Sequence, residues 1–208
     1  MRSVYSASTL LFFRFFSKKH LIYTVPSKEK VLYLTFDDGP VPEVTPVILK
    51  ILKERNARAT FFCIGENVKK HPDIFLEIKQ EGHSIGNHTF NHPDGWKTPP
   101  GEYAENVSRC EEYFVTDLFR PPYGRFSLSQ YYLLRKKYKF ILWSVLSGDF
   151  RRKTSPDQCL SNVLENAIPG SIIVFHDNLI AKEKVLYVLP LVLDHFQKKG
   201  FRFDKLTV

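Results

Sequence analysis

The chain predicts an α/β fold with a parallel sheet, closed or open, and three observations carry that reading. Short apolar runs alternate with helix-period segments from residue 31 onward. Gly82, Gly170 and Gly200 punctuate the ends of the helical segments. Carboxylates, imidazoles and an arginine follow directly after the apolar runs, at the strand ends where such folds carry their sites.

The elements follow in order. Val31 to Phe36 (VLYLTF) reads as a buried strand, and Gly39-Pro40 forces a turn straight after it. Further strands are expected at 59–64, 84–88, 117–120, 140–145 and 171–175, with a terminal piece near 201–203. Helices are expected over Thr45–Arg55, Pro72–Glu81, Glu102–Phe114, Ser127–Lys137, Pro156–Asn166 and Glu183–Lys199. Ser155-Pro156 is a helix start, a capping hydroxyl before a proline in the first turn. No repeat, low-complexity linker or shift in composition divides the chain.

With 208 residues, the chain fits one domain, and 43% hydrophobic residues exclude a disordered polymer. A net charge of +8 suits an anionic partner, such as an acidic polysaccharide or a membrane surface. No nucleic acid partner is expected, because zinc-finger spacing and RNP-like aromatic motifs are missing and the lysines are scattered. Cys63, Cys110 and Cys159 form no CxxC pair, so neither a structural zinc site nor a disulfide framework is signalled. Cys63, within ATFFCIG, reads as a buried thiol.

Residues 1–30 read as an extension. Thr9 to Phe16 is apolar except for Arg14, with no small-residue cleavage site after it, and is too short to span a bilayer. Leu11, Phe12, Phe15 and Phe16 can form one face of an amphipathic helix. Residues 9–20 would then either dock on the domain or touch a membrane surface weakly. A cytoplasmic location is the expectation.

The chemistry lies at the strand ends. Asp37 and Asp38 close the first strand; adjacent like charges resist burial there, although Asp-Asp-Gly-Pro read alone serves equally as a polar turn. His88 and His92 follow the third strand, Arg120 the fourth, Asp149 the fifth, and His176 with Asp177 the sixth. Two imidazoles four residues apart can face one metal ion, although such a pair alone is commonly incidental. With a strand-end aspartate they leave positions open for water and substrate, the arrangement of a hydrolytic divalent site.

Four segments carry a resemblance: TFDDGP (35–40), HTFNH (88–92), RPPYG (120–124) and FHD (175–177). In this order they resemble the signature motifs of the polysaccharide deacetylase family, the NodB-homology domain of carbohydrate esterase family 4. The resemblance covers roughly residues 31–205 and marks 31–208 as a single catalytic domain. It implies a distorted (β/α) barrel of about seven parallel strands and metal-dependent removal of N- or O-acetyl groups from sugars. By the same resemblance Asp38, His88 and His92 hold the metal. Zn²⁺ stands first, with Co²⁺, Ni²⁺ or Mn²⁺ as alternatives, since such a site accepts several divalent ions. Asp37 is the general base, and Arg120 is the cation such a base needs beside it. The Tyr123 N–H serves the oxyanion. His176 is the general acid, paired with Asp149, although a strand-end histidine on its own reads as structural. Val174, Pro122 and Phe150 are placed at the substrate pocket.

Departures lie in the fourth motif, where Leu146 replaces an aspartate and Phe150 a tryptophan; the aromatic face persists while the indole N–H donor is lost. Asp177 is expected to serve its turn and His83 to pack, while His71 and His195 read as exposed helical residues. Trp96, in the loop after His92, is equally a sugar platform or a loop aromatic packed on its own domain. The favoured function is deacetylation of N-acetylhexosamine glycans of peptidoglycan or chitin type. A deformylase of a lipid-linked amino sugar and an acetyl-xylan esterase are alternatives within the fold. A carbohydrate-binding protein that has lost turnover is the alternative from another class.

Overall fold

The computed structural model describes residues 20–207. Its strands are β1 (Leu21–Ile22), β2 (Val31–Asp37), β3 (Ala59–Cys63), β4 (Ser84–Asn87), β5 (Leu118–Phe119), β6 (Lys139–Ile141), β7 (Val145–Leu146), β8 (Ile172–His176) and β9 (Arg202–Phe203). The α-helices are α1 (Thr45–Glu54), α2 (Gly65–Lys70), α3 (Pro72–Gln80), α4 (Pro100–Ser108), α5 (Leu128–Leu134), α6 (Pro156–Leu164) and α7 (Lys182–Lys198).

All strand pairs are parallel, in the order β1-β6-β5-β4-β3-β2-β8-β7, with β9 paired to the start of β2. The sheet curls into the predicted distorted (β/α) barrel. Leu142–Ser144 alone link β6 near one edge to β7 at the other, and the four steps from Ile141 to Val145 reach only ~14 Å. The chain after β1 helps close the gap, because the Val25 N–H donates to the Gly170 carbonyl and Thr24 forms an antiparallel bridge to Ser171. Edges that lack continuous pairing are thus brought together without leaving a long strand open to water.

Alternation along the strands sorts the side chains into two layers. Leu34 and Phe36 of β2, Phe61 of β3, and Ile173 and Phe175 of β8 face the helices. There they join the buried stripes of α1 (Ile48, Leu49, Leu52) and α7 (Val185, Val188, Leu189, Val192). Phe62, Leu118, Ile141 and Ile172 fill the barrel interior with Leu206. Leu206 is tied in through the Thr60 and Ser84 hydroxyls. The intervening inward positions of β2 and β8, towards their C-terminal ends, are Thr35, Asp37, Val174 and His176. The polar residues of the motifs therefore come out at one rim.

Several sequence expectations need correcting. The apolar run 140–145 is not one strand: it divides into β6 and β7, with the three-residue link between them. Glu102–Phe114 is not one helix, because α4 ends at Ser108 and Arg109–Glu112 tighten into a 3₁₀ turn. Strand β1 and helix α2 were not expected, and β1 shows that the sheet starts inside the 1–30 segment. His71 and His195 are half-buried: His71 sits at the junction of α2 and α3, and His195 packs edge-on against Phe196. His83 is buried and accepts from the Ala59 N–H; burial and Arg58 pull its pKa down to about 4, as a structural histidine requires. All three cysteines are buried and unpaired. No helix among the described residues is long and apolar enough to cross a membrane, and the amphipathic reading of 9–20 lies, His20 aside, outside the described residues.

Candidate active site

Strand β2 ends in a turn that presents Asp38. Asp177, fully buried after β8, holds this turn: Oδ1 accepts from the Gly39 N–H at 2.9 Å and Oδ2 from the Thr45 hydroxyl at 2.6 Å. A Cβ on Gly39 would stand 1.8 Å from Asp177 Oδ2, so any other residue here must displace Asp177 or the turn. Burial pushes the Asp177 carboxyl up to about 7, which suits a structural acid. Asp177 therefore serves its turn, as expected. Asp38 itself has φ 85°, a region where non-glycine residues are strained, and Asn67 Nδ2 donates to its carbonyl at 2.7 Å.

The Asp38 carboxylate is divided in its duties. Oδ2 accepts from Asn178 Nδ2 at 2.7 Å, whereas Oδ1 is buried without a hydrogen-bond donor. His92 Nε2 lies 3.2 Å from that oxygen and His88 Nε2 3.5 Å from it. His88 Nδ1 is 2.7 Å from the Arg120 carbonyl, which can only accept, so Nδ1 carries the proton and the neutral ring presents Nε2 as a lone pair. His92 is placed by a left-handed turn (φ 63°) in which its N–H donates to Thr89 Oγ1. One oxygen and two nitrogens within 4.8 Å of one another, with an unpartnered buried carboxylate oxygen among them, fit a divalent cation.

Asp37 is the next residue back and points into the barrel. Its Oδ1 accepts from Arg120 Nη1 at 2.7 Å. Arg120 has 0% of its surface exposed, and three more of its five N–H groups go to Thr35 Oγ1 (2.7 Å), Ile141 O (3.0 Å) and Leu142 O (3.1 Å). Phe62 stacks beneath its guanidinium at 4.1 Å. A buried charge this fully bonded is fixed in position, which leaves Asp37 Oδ2 as the carboxylate atom free of that arginine.

His176 is the register partner of Asp37 across β2 and β8. Asp149, fully buried beyond β7, accepts through Oδ1 from His176 Nδ1 at 2.8 Å and through Oδ2 from the His176 backbone N–H at 2.8 Å. Burial opposes charge on His176, but the Asp149 carboxylate, aided by Asp38 and Asp37, raises it to about 9. The loop carrying Asp149 is clamped by Lys184, whose ammonium donates to the Asp149 carbonyl at 3.0 Å and to that of Arg151.

The other predicted residues surround this centre. Pro122 is buried, and the next residue, Tyr123, adopts a left-handed turn (φ 59°, ψ 8°) with its ring 4.8 Å from that of His92. Phe150 packs its ring 4.9 Å from His176. Val174 is buried on the same inward face as His176, two residues earlier, and Leu146 is its register partner on β7. Sequence reasoning missed Asn67, Asn178 and Thr35. No spacing or composition signal marks these single polar residues, because each acts only through a contact made by the fold.

The sequence matches the family described as polysaccharide deacetylase over residues 24–139. The chain is similar to a peptidoglycan-N-acetylglucosamine deacetylase of Bacillus cereus, with 35% identity over 202 residues, 93% of this chain and 73% of that one. It is 34% identical over 203 residues to a chitooligosaccharide deacetylase of Azorhizobium caulinodans, covering 88% of this chain and 95% of the other. Among solved structures, the Bc1960 peptidoglycan N-acetylglucosamine deacetylase in complex with an N-hydroxybenzamide superposes with a TM-score of 0.85. That match has 34% identity and covers 91% of this chain and 92% of that one.

Proposed function

The chain belongs to the polysaccharide deacetylase family, and we propose that it hydrolyses the N-acetyl groups of N-acetylhexosamine glycans, of the peptidoglycan or chitooligosaccharide kind, with Asp37 as base and His176 as acid. Peptidoglycan and chitooligosaccharides are what the similar proteins are named for. The observation that carries this reading is the register pairing of Asp37 with His176, each held by its own buried partner, beside the Asp38–His88–His92 cluster.

Asp38, His88 and His92 would hold the cation, with Zn²⁺ favoured. A divalent ion there supplies Lewis acidity, acidifying water and polarising the acyl carbonyl. Asp37 takes the proton of the attacking water through Oδ2, since Arg120 occupies Oδ1. The Tyr123 N–H, on its left-handed turn beside His92, donates to the developing oxyanion. His176, protonated at neutral pH, gives its proton from Nε2 to the departing amine while Asp149 retains Nδ1–H. Val174, Pro122 and Phe150 form the wall against which the acyl group and sugar rest. The catalytic unit, 31–208 in the sequence reading, is proposed to reach back at least to Leu21. The three unpaired thiols support the cytoplasmic reading, which fractionation would test.

Acetate release from N-acetylglucosamine oligomers, measured with and without added Zn²⁺ or Co²⁺, tests the function. Asp37→Asn is expected to keep the metal and lower kcat by ~10²–10⁴-fold, whereas His88→Ala loses the metal as well, as metal analysis would read. Near-normal turnover in Asp37→Asn removes the base assignment. Tight metal binding without acetate or formate release from any glycan removes the enzyme and leaves the binder.

A further inference from the structure

Trp96, in the loop after His92, is 69% exposed, which excludes packing on its own domain as its main role. Its position is nonetheless held from several sides. Asp94 accepts the backbone N–H of Trp96 through Oδ1 at 3.0 Å and the Arg125 guanidinium through Oδ2 at 2.7 Å. Gln130, fully buried, donates from Nε2 to the carbonyls of Gly95 (2.8 Å) and Thr98 (2.9 Å), and its Oε1 accepts from the Ser127 N–H. A Cβ on Gly95 would stand 2.2 Å from the Arg125 carbonyl oxygen, so the loop lies where only glycine fits. Arg125 Cζ lies 4.7 Å from the Trp96 ring centroid and backs one of its faces.

This anchoring exceeds what an exposed indole returns in stability, since little of its surface leaves water. What it does provide is a loop backbone already fixed in place, carrying a flat apolar face that Arg125 backs, which lowers the ordering cost of binding. The face also has a direction relative to the centre. Arg125 lies 5.5 Å from the Tyr123 ring, and that ring lies 4.8 Å from His92, so the row runs outward from the metal ligands to Trp96. Asp94 balances the charge of Arg125, which favours a neutral occupant over an anionic one. A pyranose ring meets these terms, because its C–H face is apolar and faintly positive while the indole face is negative.

We propose that Trp96, backed by Arg125, is a stacking platform for a sugar of the glycan other than the one deacetylated. The proposal rests on the glycan reading above and makes the protein selective for oligomers over short substrates. The test compares the dimer and tetramer of N-acetylglucosamine. Trp96→Ala is expected to lower the tetramer-to-dimer ratio of kcat/KM by about tenfold, through KM, and Trp96→Phe to restore most of it. In parallel, the tetramer should change the tryptophan emission of the wild-type protein, and Trp96→Phe should abolish that change, leaving Trp143 as the remaining tryptophan. A wild-type ratio in Trp96→Ala, or no emission change dependent on Trp96, overturns the platform. A Trp96-dependent emission change in a protein that releases no acetate sustains the platform while removing the catalytic reading.

Discussion

Replacing Asp149 by Asn tests the acid dyad with little change of shape. Asp149 gives His176 two separate bonds, one to Nδ1–H and one to the backbone N–H. An asparagine can satisfy only the first, because its amide would then face the backbone N–H donor to donor, at a cost of about 1–3 kcal/mol. The larger effect is on the imidazole. Its rise from 6.5 to about 9 corresponds to about 3 kcal/mol in favour of the charged ring. Being raised in the folded state, His176 contributes that stability fully below pH ~6.5 and loses it as pH climbs through about 9. Metal-free wild type should therefore weaken by about 3 kcal/mol across that window, read from urea midpoints. In Asp149→Asn the slope should shrink sharply, because burial then opposes the charge with only the more weakly acting Asp38 and Asp37 left to favour it. NMR titration of the His176 ring gives the same answer without catalysis. A ring that still titrates near 9 in the variant would refute the assignment of Asp149 as the group that charges His176.

Two further perturbations address the scaffold of the site. Arg120→Met keeps the apolar stem but leaves Asp37 buried without its hydrogen-bonded cation and strips donors from Thr35, Ile141 and Leu142; we expect about 3–5 kcal/mol of lost stability in urea unfolding. Gly39→Ala puts a methyl group 1.8 Å from Asp177 Oδ2, which must displace the Asp38 turn; metal affinity measured by calorimetry should fall at least tenfold while far-UV dichroism stays native.

The strand-end rule made most of the centre readable, because β2 and β8 end in Asp37 and His176, and β4 and β5 are followed at once by His88 and Arg120. What escaped did so for physical reasons. Two-residue β1 has no period to detect, and six-residue α2 (GENVKK) falls below the length at which amphipathic spacing can be recognised. The run from Phe140 to Val145 is apolar apart from Ser144, so hydropathy does not reveal that Leu142–Ser144 leave the sheet to cross between its edges. Phe150 was predicted from its place in the chain, and its packing on His176 is consistent with that, but Asn178 could be found only after the turn following β8 had been folded onto Asp38.

Arg120 joins β2 to β6 and to the start of the link after it, a seam inside the barrel between strands that do not pair with each other, and the same guanidinium grips Asp37. Structure and chemistry thus draw on one side chain. A descendant of this protein that abandoned hydrolysis would still be selected to keep that arginine for its architecture. Its retention is therefore a poor marker of turnover when a similar sequence is met, and on the proposed roles of Asp37 and His176, which brace no comparable seam, those are the positions where a loss of activity would first be written.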